Sequence, residues 1–282
     1  MNLQLGHGIP AAIRAAGGSS GIPAPSFYRD FAGSKQLNGG VGPAISFIRG
    51  SNATYFDSTG TLQTASNDTP RFDYDPVTLT CKGLLIEESR TNFITQSGTL
   101  SNWTSSAITY TPNATIAPDG TNTASQITTT NTQNYFRNSP YIVTTVGQSY
   151  TFSFYAKKGT ASDANYAVYD GASFIVSPTS YYSQINASTW TRVSVTFTAT
   201  SAQAYVYVSS NTPSLGNWYV WGAQVEAGSF ATSYIPTTGT TVTRAADVAQ
   251  ITGSDFANTF SQTAGTFVVS ALGGINTAQG YY

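Results

Sequence analysis

The segment Ser149-Tyr150-Thr151-Phe152-Ser153-Phe154-Tyr155-Ala156 alternates, with Tyr150, Phe152 and Phe154 on one side of an extended chain. Successive side chains of a strand point to opposite faces, so such a segment buries one face against a core. The same period recurs downstream. Trp190 to Thr198 turns Val193, Val195 and Phe197 inward and Arg192, Ser194 and Thr196 outward. Ala204-Tyr205-Val206-Tyr207-Val208 separates two valines from two tyrosines, and Trp218 to Val225 reads as a further strand. Strands with one apolar face are the signature of sheets packed on each other, which makes the fold all-β with a β-sandwich domain. Phe152, Phe154, Phe197 and Trp221 are expected in the core, and Trp190 as a plug at one end of the sandwich. Helical periodicity is nearly missing, Ala245-Ala246-Asp247-Val248-Ala249 coming closest. No fixed repeat marks a solenoid.

Working outward from this segment, residues 92–245 form the predicted sandwich. Residues 26–91 form a smaller β-rich region of short strands: Ala44–Arg49, Ala53–Phe56, Thr61–Thr64, Arg71–Tyr74 and Gly83–Ile86. Asp57-Ser58-Thr59-Gly60 joins the second and third of these as a hairpin turn closed by glycine. Residues 1–25 are rich in Gly, Ala and Pro and read as an extended arm that orders on a partner. Residues 246–282 read as a linker and the start of a further β domain or an inter-subunit strand, centred on 262–270.

Composition excludes several functions. The 282 residues carry 12 basic and 13 acidic side chains, a net charge of -1, and only 9% are charged, against roughly 25% in an average domain. Such a chain is a poor electrostatic partner for nucleic acid or an anionic membrane, and neither is expected. Its apolar runs fall far short of a membrane helix, and no secretory signal is visible at the start. The one cysteine, Cys81, rules out an internal disulfide framework. Ser and Thr together supply 75 residues and aromatics 13%, the profile of a β protein with a hydroxyl-rich surface.

The catalytic inventory is thin. His7 is the only histidine, so any imidazole-based triad would have to use it. Paired carboxylates are the remaining route. Asp73 and Asp75 stand at i and i+2 of a strand, about 7 Å apart, within the inverting-glycosidase range of about 6.5–9.5 Å. Glu87 and Glu88 form a second pair. Asp75 precedes a proline, so capping the turn is the first expectation for it, a structural calcium site the second and catalysis the third. No cofactor is expected beyond that calcium ion, and no catalytic residue is assigned.

A series of motifs resembles a known family. Phe47-Ile48-Arg49-Gly50-Ser51-Asn52-Ala53-Thr54-Tyr55 is followed by Thr69-Pro70-Arg71-Phe72-Asp73-Tyr74-Asp75-Pro76 and by Gly83-Leu84-Leu85-Ile86-Glu87-Glu88-Ser89-Arg90-Thr91-Asn92. Later come Trp221-Gly222-Ala223-Gln224-Val225-Glu226-Ala227-Gly228, Ala231-Thr232-Ser233-Tyr234-Ile235-Pro236 and Val242-Thr243-Arg244-Ala245-Ala246-Asp247. In this order they resemble bacteriophage virion proteins, namely head spike or head fibre proteins and related tail-fibre modules. Gly50 stands where the family pattern has alanine. Residues 92–245 are also similar to carbohydrate-binding jelly-roll modules of the type attached to glycanases. The resemblance implies a non-enzymatic fibre or spike subunit on the exposed surface of the virion. It implies attachment to other virion proteins through the N-terminal region, a homo-oligomer (commonly a trimer) and adsorption to host cell-surface polysaccharide. Alternatives are a purely structural decoration protein and a glycan depolymerase using the paired carboxylates.

A sugar site needs aromatic faces for the C–H side of the ring and polar groups for its hydroxyl rim. Tyr205 and Tyr207 face away from the valines of their strand, and Tyr155 stands opposite Phe154. Tyr166, Tyr169, Tyr181 and Tyr182 lie in loop-rich sequence with Asn165, Asp170 and Gln184. The expected carbohydrate site is therefore Tyr205, Tyr207, Tyr169, Asn165 and Arg192.

Overall fold

Alternation along the chain is realised as antiparallel pairing in a computed structural model, which describes residues 2–5, 25–261, 263, 269 and 271–273. Two units are present: residues 90–243 form one, and residues 1–89 with 244–282 form the other. Among the described residues no helix is long and apolar enough to cross a membrane.

The first unit is a β-sandwich of eleven strands. They are β1 (Thr104–Ser106), β2 (Ile108–Thr115), β3 (Ala124–Thr129), β4 (Tyr135–Arg137), β5 (Ile142–Val143), β6 (Ser149–Lys158), β7 (Asn165–Tyr169), β8 (Phe174–Ser180), β9 (Thr191–Thr198), β10 (Gln203–Ser210) and β11 (Gly216–Ala227). One sheet runs β1-β4-β10-β7-β8, with β5 also on β10, and the other runs β2-β3-β11-β6-β9. The chain passes repeatedly between the sheets, so each long strand pairs with neighbours distant in sequence, as in β6 against both β9 and β11. Their inward faces meet in one core that includes Phe152, Phe154, Val193, Val206, Val208, Trp218 and Val220. Phe152, Phe154 and Phe197 lie in this core as expected, whereas Trp221, also expected there, is buried on the outer side of β11. Trp190 is half-buried just before β9, and its indole N–H donates to the Ile116 carbonyl.

Gly222 marks a bulge. The register of β6 against β11 shifts between Ser153 and Tyr155, and Gly222 sits there at φ +65°. That left-handed conformation suits glycine, and a bulge at this point sharpens the twist of the longest strand. The residues bounding the sandwich adjoin each other: the Thr91 and Thr243 hydroxyls are 2.7 Å apart.

The second unit has short strands throughout. Asn2–Leu5 pairs with both Ala271–Gly273 and Cys81–Glu87, and the latter also pairs with Phe72–Tyr74. Of the expected arm, residues 1 and 6–24, including His7, lie outside the described residues, as does most of the expected strand at 262–270. The hairpin Ala53–Phe56 with Leu62–Ala65 forms around the Asp57–Gly60 turn, where Asp57 accepts from the Thr59 and Thr61 amides. The stretch Ala245–Ala249 forms no helix: Ala245–Asp247 are irregular and Val248–Gln250 is a strand paired with Ser46–Ile48, while short helices form instead at Phe31–Ser34 and Gly253–Thr259. A long-range ladder decides it, and local propensity does not.

A buried charge cluster holds this unit. Arg49, Arg71, Arg244, Glu87 and Asp247 all have side chains 0–1% exposed. Asp247 accepts from Arg49 at 3.0 Å, from Arg71 at 2.5 Å and from the Glu87 amide at 2.9 Å. Glu87 lies 2.9 Å from Arg71 and 3.5 Å from Arg244. Buried charges survive only when paired, so removing one carboxylate strands several cations.

We expect Asp247→Ala to destabilise this unit by about 3–5 kcal/mol, read as a loss of its transition midpoint in urea. Gly222→Ala is expected to cost the sandwich about 1–2 kcal/mol through the left-handed backbone alone. The added methyl would also meet a Tyr155 ring carbon at 3.0 Å. Thermal unfolding of the variant checks this, and an unchanged midpoint would contradict it.

Candidate functional site

The outer faces of the two sheets differ. On β11, Trp221, Gln224 and Glu226 are buried, although the core side of the strand is already filled by Trp218, Val220 and Val225. The cover is the segment 229–238, which lies across the strand. Glu226 accepts from the Thr232 amide at 2.8 Å, the Thr232 hydroxyl at 2.7 Å and Gln224 at 2.7 Å. Gln224 accepts from the Ile235 amide. Asn92 accepts from the Ile94 and Val225 amides and donates to the Ala223 and Ile235 carbonyls. Tyr234 packs on Trp221 with ring centroids 4.6 Å apart, and its hydroxyl meets Ser97.

This cover corrects two expectations. Tyr155 is buried rather than outward-facing and free, because it packs on Trp221 and under the Arg192 guanidinium. Arg192 does not join the tyrosines of β10. It lies on β9, in the other sheet, and donates to the Thr232 carbonyl and the Ser153 hydroxyl.

The opposite sheet carries an open aromatic face. Phe136, Val168, Val206 and Val208 point into the core. Alternation therefore turns Tyr135 and Arg137 of β4, Tyr205 and Tyr207 of β10, and Tyr169 of β7 outward. Tyr141 leads into β5 and Phe174 begins β8. The six rings form a continuous chain. Tyr141 to Tyr205 is 6.0 Å between centroids, Tyr205 to Tyr169 6.4 Å and Tyr169 to Phe174 5.3 Å. Phe174 to Tyr207 is 6.2 Å, and Tyr207 to Tyr135 6.3 Å. Arg137 closes the circuit, 4.0 Å above the Tyr205 ring and 5.8 Å from that of Tyr135. Tyr141 and Phe174 are 45% and 41% exposed. The face spans four adjacent strands, about 14 Å. Burial among these rings pushes the Tyr207 phenol above its ordinary range, while the Arg137 charge works against that rise.

Of the expected site, Tyr205, Tyr207 and Tyr169 come together, Tyr205 pairing directly with Tyr169 across the ladder. Tyr205 and Tyr169 are half-buried, whereas Tyr207 is buried. Asn165 shares the outward side of β7 with Tyr169 but lies at the far end of the strand, buried, its amide donating to the Asn211 carbonyl. Tyr181 is fully buried instead of lining a loop, its hydroxyl donating to the Val208 carbonyl and its ring stacked on Tyr166. Tyr182 donates to the Ala161 carbonyl. Asp170 closes the turn after β7: the Ser173 and Ala172 amides and the Thr200 hydroxyl hold its carboxyl below the ordinary range. Arg137, Tyr135, Tyr141 and Phe174 were not anticipated. The signal was present in Tyr135-Phe136-Arg137, a three-residue alternation between Asn/Thr-rich turns.

The carboxylate pairs are engaged elsewhere. Asp73 accepts from the Phe56 amide and Asp75 from the Val77 and Thr78 amides, and the Lys82 ammonium lies 3.9 Å from one and 3.7 Å from the other. Asp75 thus caps its turn as expected, and a lysine cation stands between the oxygens considered for calcium. Glu87 belongs to the buried charge cluster. Among the described residues no group of three or more His, Cys, Asp or Glu side chains is placed to hold a metal ion.

No protein family matches the chain, and no curated protein does. It is similar to parts of several solved structures. One is the enzymatically active domain of tailspike protein 4 of bacteriophage CBA120, at 17% identity and a TM-score of 0.37, over 49% of this chain and 21% of that one. The matched region is thus about a fifth of the tailspike chain's length. Another is the CBM22-1 xylan-binding domain of Paenibacillus barcinonensis Xyn10C, at 14% identity and a TM-score of 0.34, over 50% of this chain and 94% of that one. A third is the C-terminal CBM6 of LamC from Zobellia galactanivorans, at 14% identity and a TM-score of 0.34, over 50% of this chain and all (100%) of that one.

Burial raises the pKa of both Tyr181 and Tyr234 well above the ordinary tyrosine value. A raised folded-state pKa stabilises fully below the unfolded value, about 10, and is lost as pH climbs beyond it. The sandwich is therefore expected to lose stability above about pH 10. Replacing Tyr181 with phenylalanine should flatten that loss, which alkaline denaturation followed by near-UV absorbance checks.

Proposed function

We propose that this chain is a non-enzymatic fibre or spike subunit of a bacteriophage virion, displaying a glycan-binding β-sandwich for adsorption to the host surface. The observation that carries the glycan reading is the open aromatic face of the sheet holding β4, β7 and β10. Six rings with one guanidinium among them match what a saccharide offers, apolar C–H faces edged by hydroxyls. Segment 229–238 covers the middle of β11 and the adjoining Tyr155, whereas on the other sheet Tyr135, Tyr141, Tyr169, Phe174 and Tyr205 stay half-buried or exposed around a buried Tyr207, a surface that a purely structural decoration protein would have no need of. The virion reading rests on the order of the sequence motifs. It places the chain on the exposed particle surface as a homo-oligomer, a trimer being the expected state, attached through its N-terminal region. Engagement of Asp73, Asp75 and Glu87 in structural contacts weighs against a depolymerase built on those pairs.

The full chain, tested on an array of host-surface and plant polysaccharides, is expected to bind glycan. Tyr205→Ala should weaken that binding by about 30-fold, the effect of removing a central aromatic anchor. Tyr219→Ala, on β11 in the other sheet, should leave it unchanged. Absence of binding to any glycan by the folded protein would favour the decoration role. Antibody labelling of intact particles tests the virion location.

A further inference from the structure

We propose that the aromatic face selects acidic glycans, an oxyanion on the sugar docking edge-on to the Arg137 guanidinium while a pyranose ring stacks on Tyr205 and its neighbours. The inference rests on the glycan reading and deepens it. Arg137 differs from the other described arginines. Arg49, Arg71 and Arg244 are consumed by Asp247 and Glu87, Arg90 lies against Glu226, Arg192 is bound to Thr232 and Ser153, and Arg29 donates to the Val41 and Pro43 carbonyls. Among the described residues, Arg137 has no carboxylate partner, and its one hydrogen bond is a 3.4 Å contact with the Asn138 carbonyl. A guanidinium has five N–H donors in a fixed planar fork. Here the plane is held against the Tyr205 ring, so the side chain is positioned without its donors being spent.

The surroundings favour an anion. The acids of this sheet and its turns are committed, Asp163 to the Ala164 amide and the Ser180 hydroxyl, and Asp170 to Ser173, Ala172 and Thr200. The remaining groups of the face are tyrosines, a phenylalanine and amides, which supply no negative charge near neutral pH. Among the described residues Arg137 is thus a half-buried guanidinium with no carboxylate partner on an otherwise aromatic surface, the ionised Asp170 being tied to the amides of the turn between Tyr169 and Phe174. Forked pairing with a carboxylate or sulfate uses geometry that a neutral hydroxyl does not supply. Planar rings then hold the sugar beside the pair, where partial exclusion of water strengthens it.

The test compares matched polymers on the full chain. Polygalacturonate is set beside its carboxyl-reduced form, and dextran sulfate beside dextran, together with host-surface polysaccharides before and after carboxyl reduction. The expected result is that an acidic member binds at least about tenfold more tightly than its neutral counterpart. Arg137→Gln should abolish that preference while keeping the weak binding of the neutral form, and Arg137→Lys should retain part of it. The carboxylate and sulfate arms tell which oxyanion is taken. Equal binding of acidic and neutral members, or a preference that survives in Arg137→Gln, overturns the inference and leaves the glycan reading standing. Failure of the folded chain to bind any member, acidic or neutral, overturns the glycan reading as well. Unchanged thermal midpoints for the Arg137 variants separate lost contact from lost fold.

Discussion

Glu226 sits on the outer side of a central strand with no exposure to water, and that single buried carboxylate constrains much of the sandwich. A carboxyl group taken out of water is costly unless its oxygens are given hydrogen-bond partners. Thr232 supplies an amide and a hydroxyl, Gln224 an amide, and Arg90 a guanidinium 4.0 Å away. Meeting this demand draws residues 229–238 across β11. The same segment then covers Trp221 and Tyr155 and takes up Arg192. The middle of one sheet is covered by its own chain, while most aromatics on the outer face of the other stay half-buried or exposed.

The smaller unit solves a comparable problem with charges alone. Three guanidinium groups share two carboxylates away from solvent, an arrangement that tolerates little displacement. Ion clusters of this kind contribute less to net stability than to uniqueness, since any alternative register leaves a buried charge unmet. The motifs of the resemblance converge on it: Arg49, Arg71, Glu87, Arg244 and Asp247 come from four of the quoted stretches. The two motifs around Trp221–Gly228 and Ala231–Pro236 converge instead on the segment that closes the sheet. These stretches therefore serve architecture, and the aromatic face lies outside all of them.

Legibility followed strand length. Long alternating runs such as Ser149–Lys158 and Thr191–Thr198 announced both their extent and their inward faces, because period-two burial needs no knowledge of partners. The outward side of Tyr205 and Tyr207 was legible by the same logic, whereas Tyr169, read as part of a loop-rich stretch, stands on β7. What failed was everything that depends on the neighbour across the outer face. Nothing in Trp190–Thr198 says which sheet β9 joins, so Arg192 was assigned to the wrong side. Tyr155 alternates outward as expected, yet a segment some eighty positions away buries it. Tyr181 sits among polar residues in sequence but at the centre of the core in space. Arg137 escaped notice because three residues are too few to establish a period, and its importance comes from a ring 68 positions further on. Ala245–Ala249 looks weakly helical from its alanines, and the strand that claims Val248 and Ala249 lies two hundred residues earlier.

The adjoining Thr91 and Thr243 bear on how such a protein can diversify. A sandwich that leaves and rejoins the chain at neighbouring points is, in genetic terms, a cassette. One recombination event could replace everything between them with another module of similar spacing, and the flanking ion cluster would close as before. The outer faces of the sandwich could thus turn over quickly while the ion cluster beside its ends changes slowly. Lineages built this way should share their ends and differ in their middles.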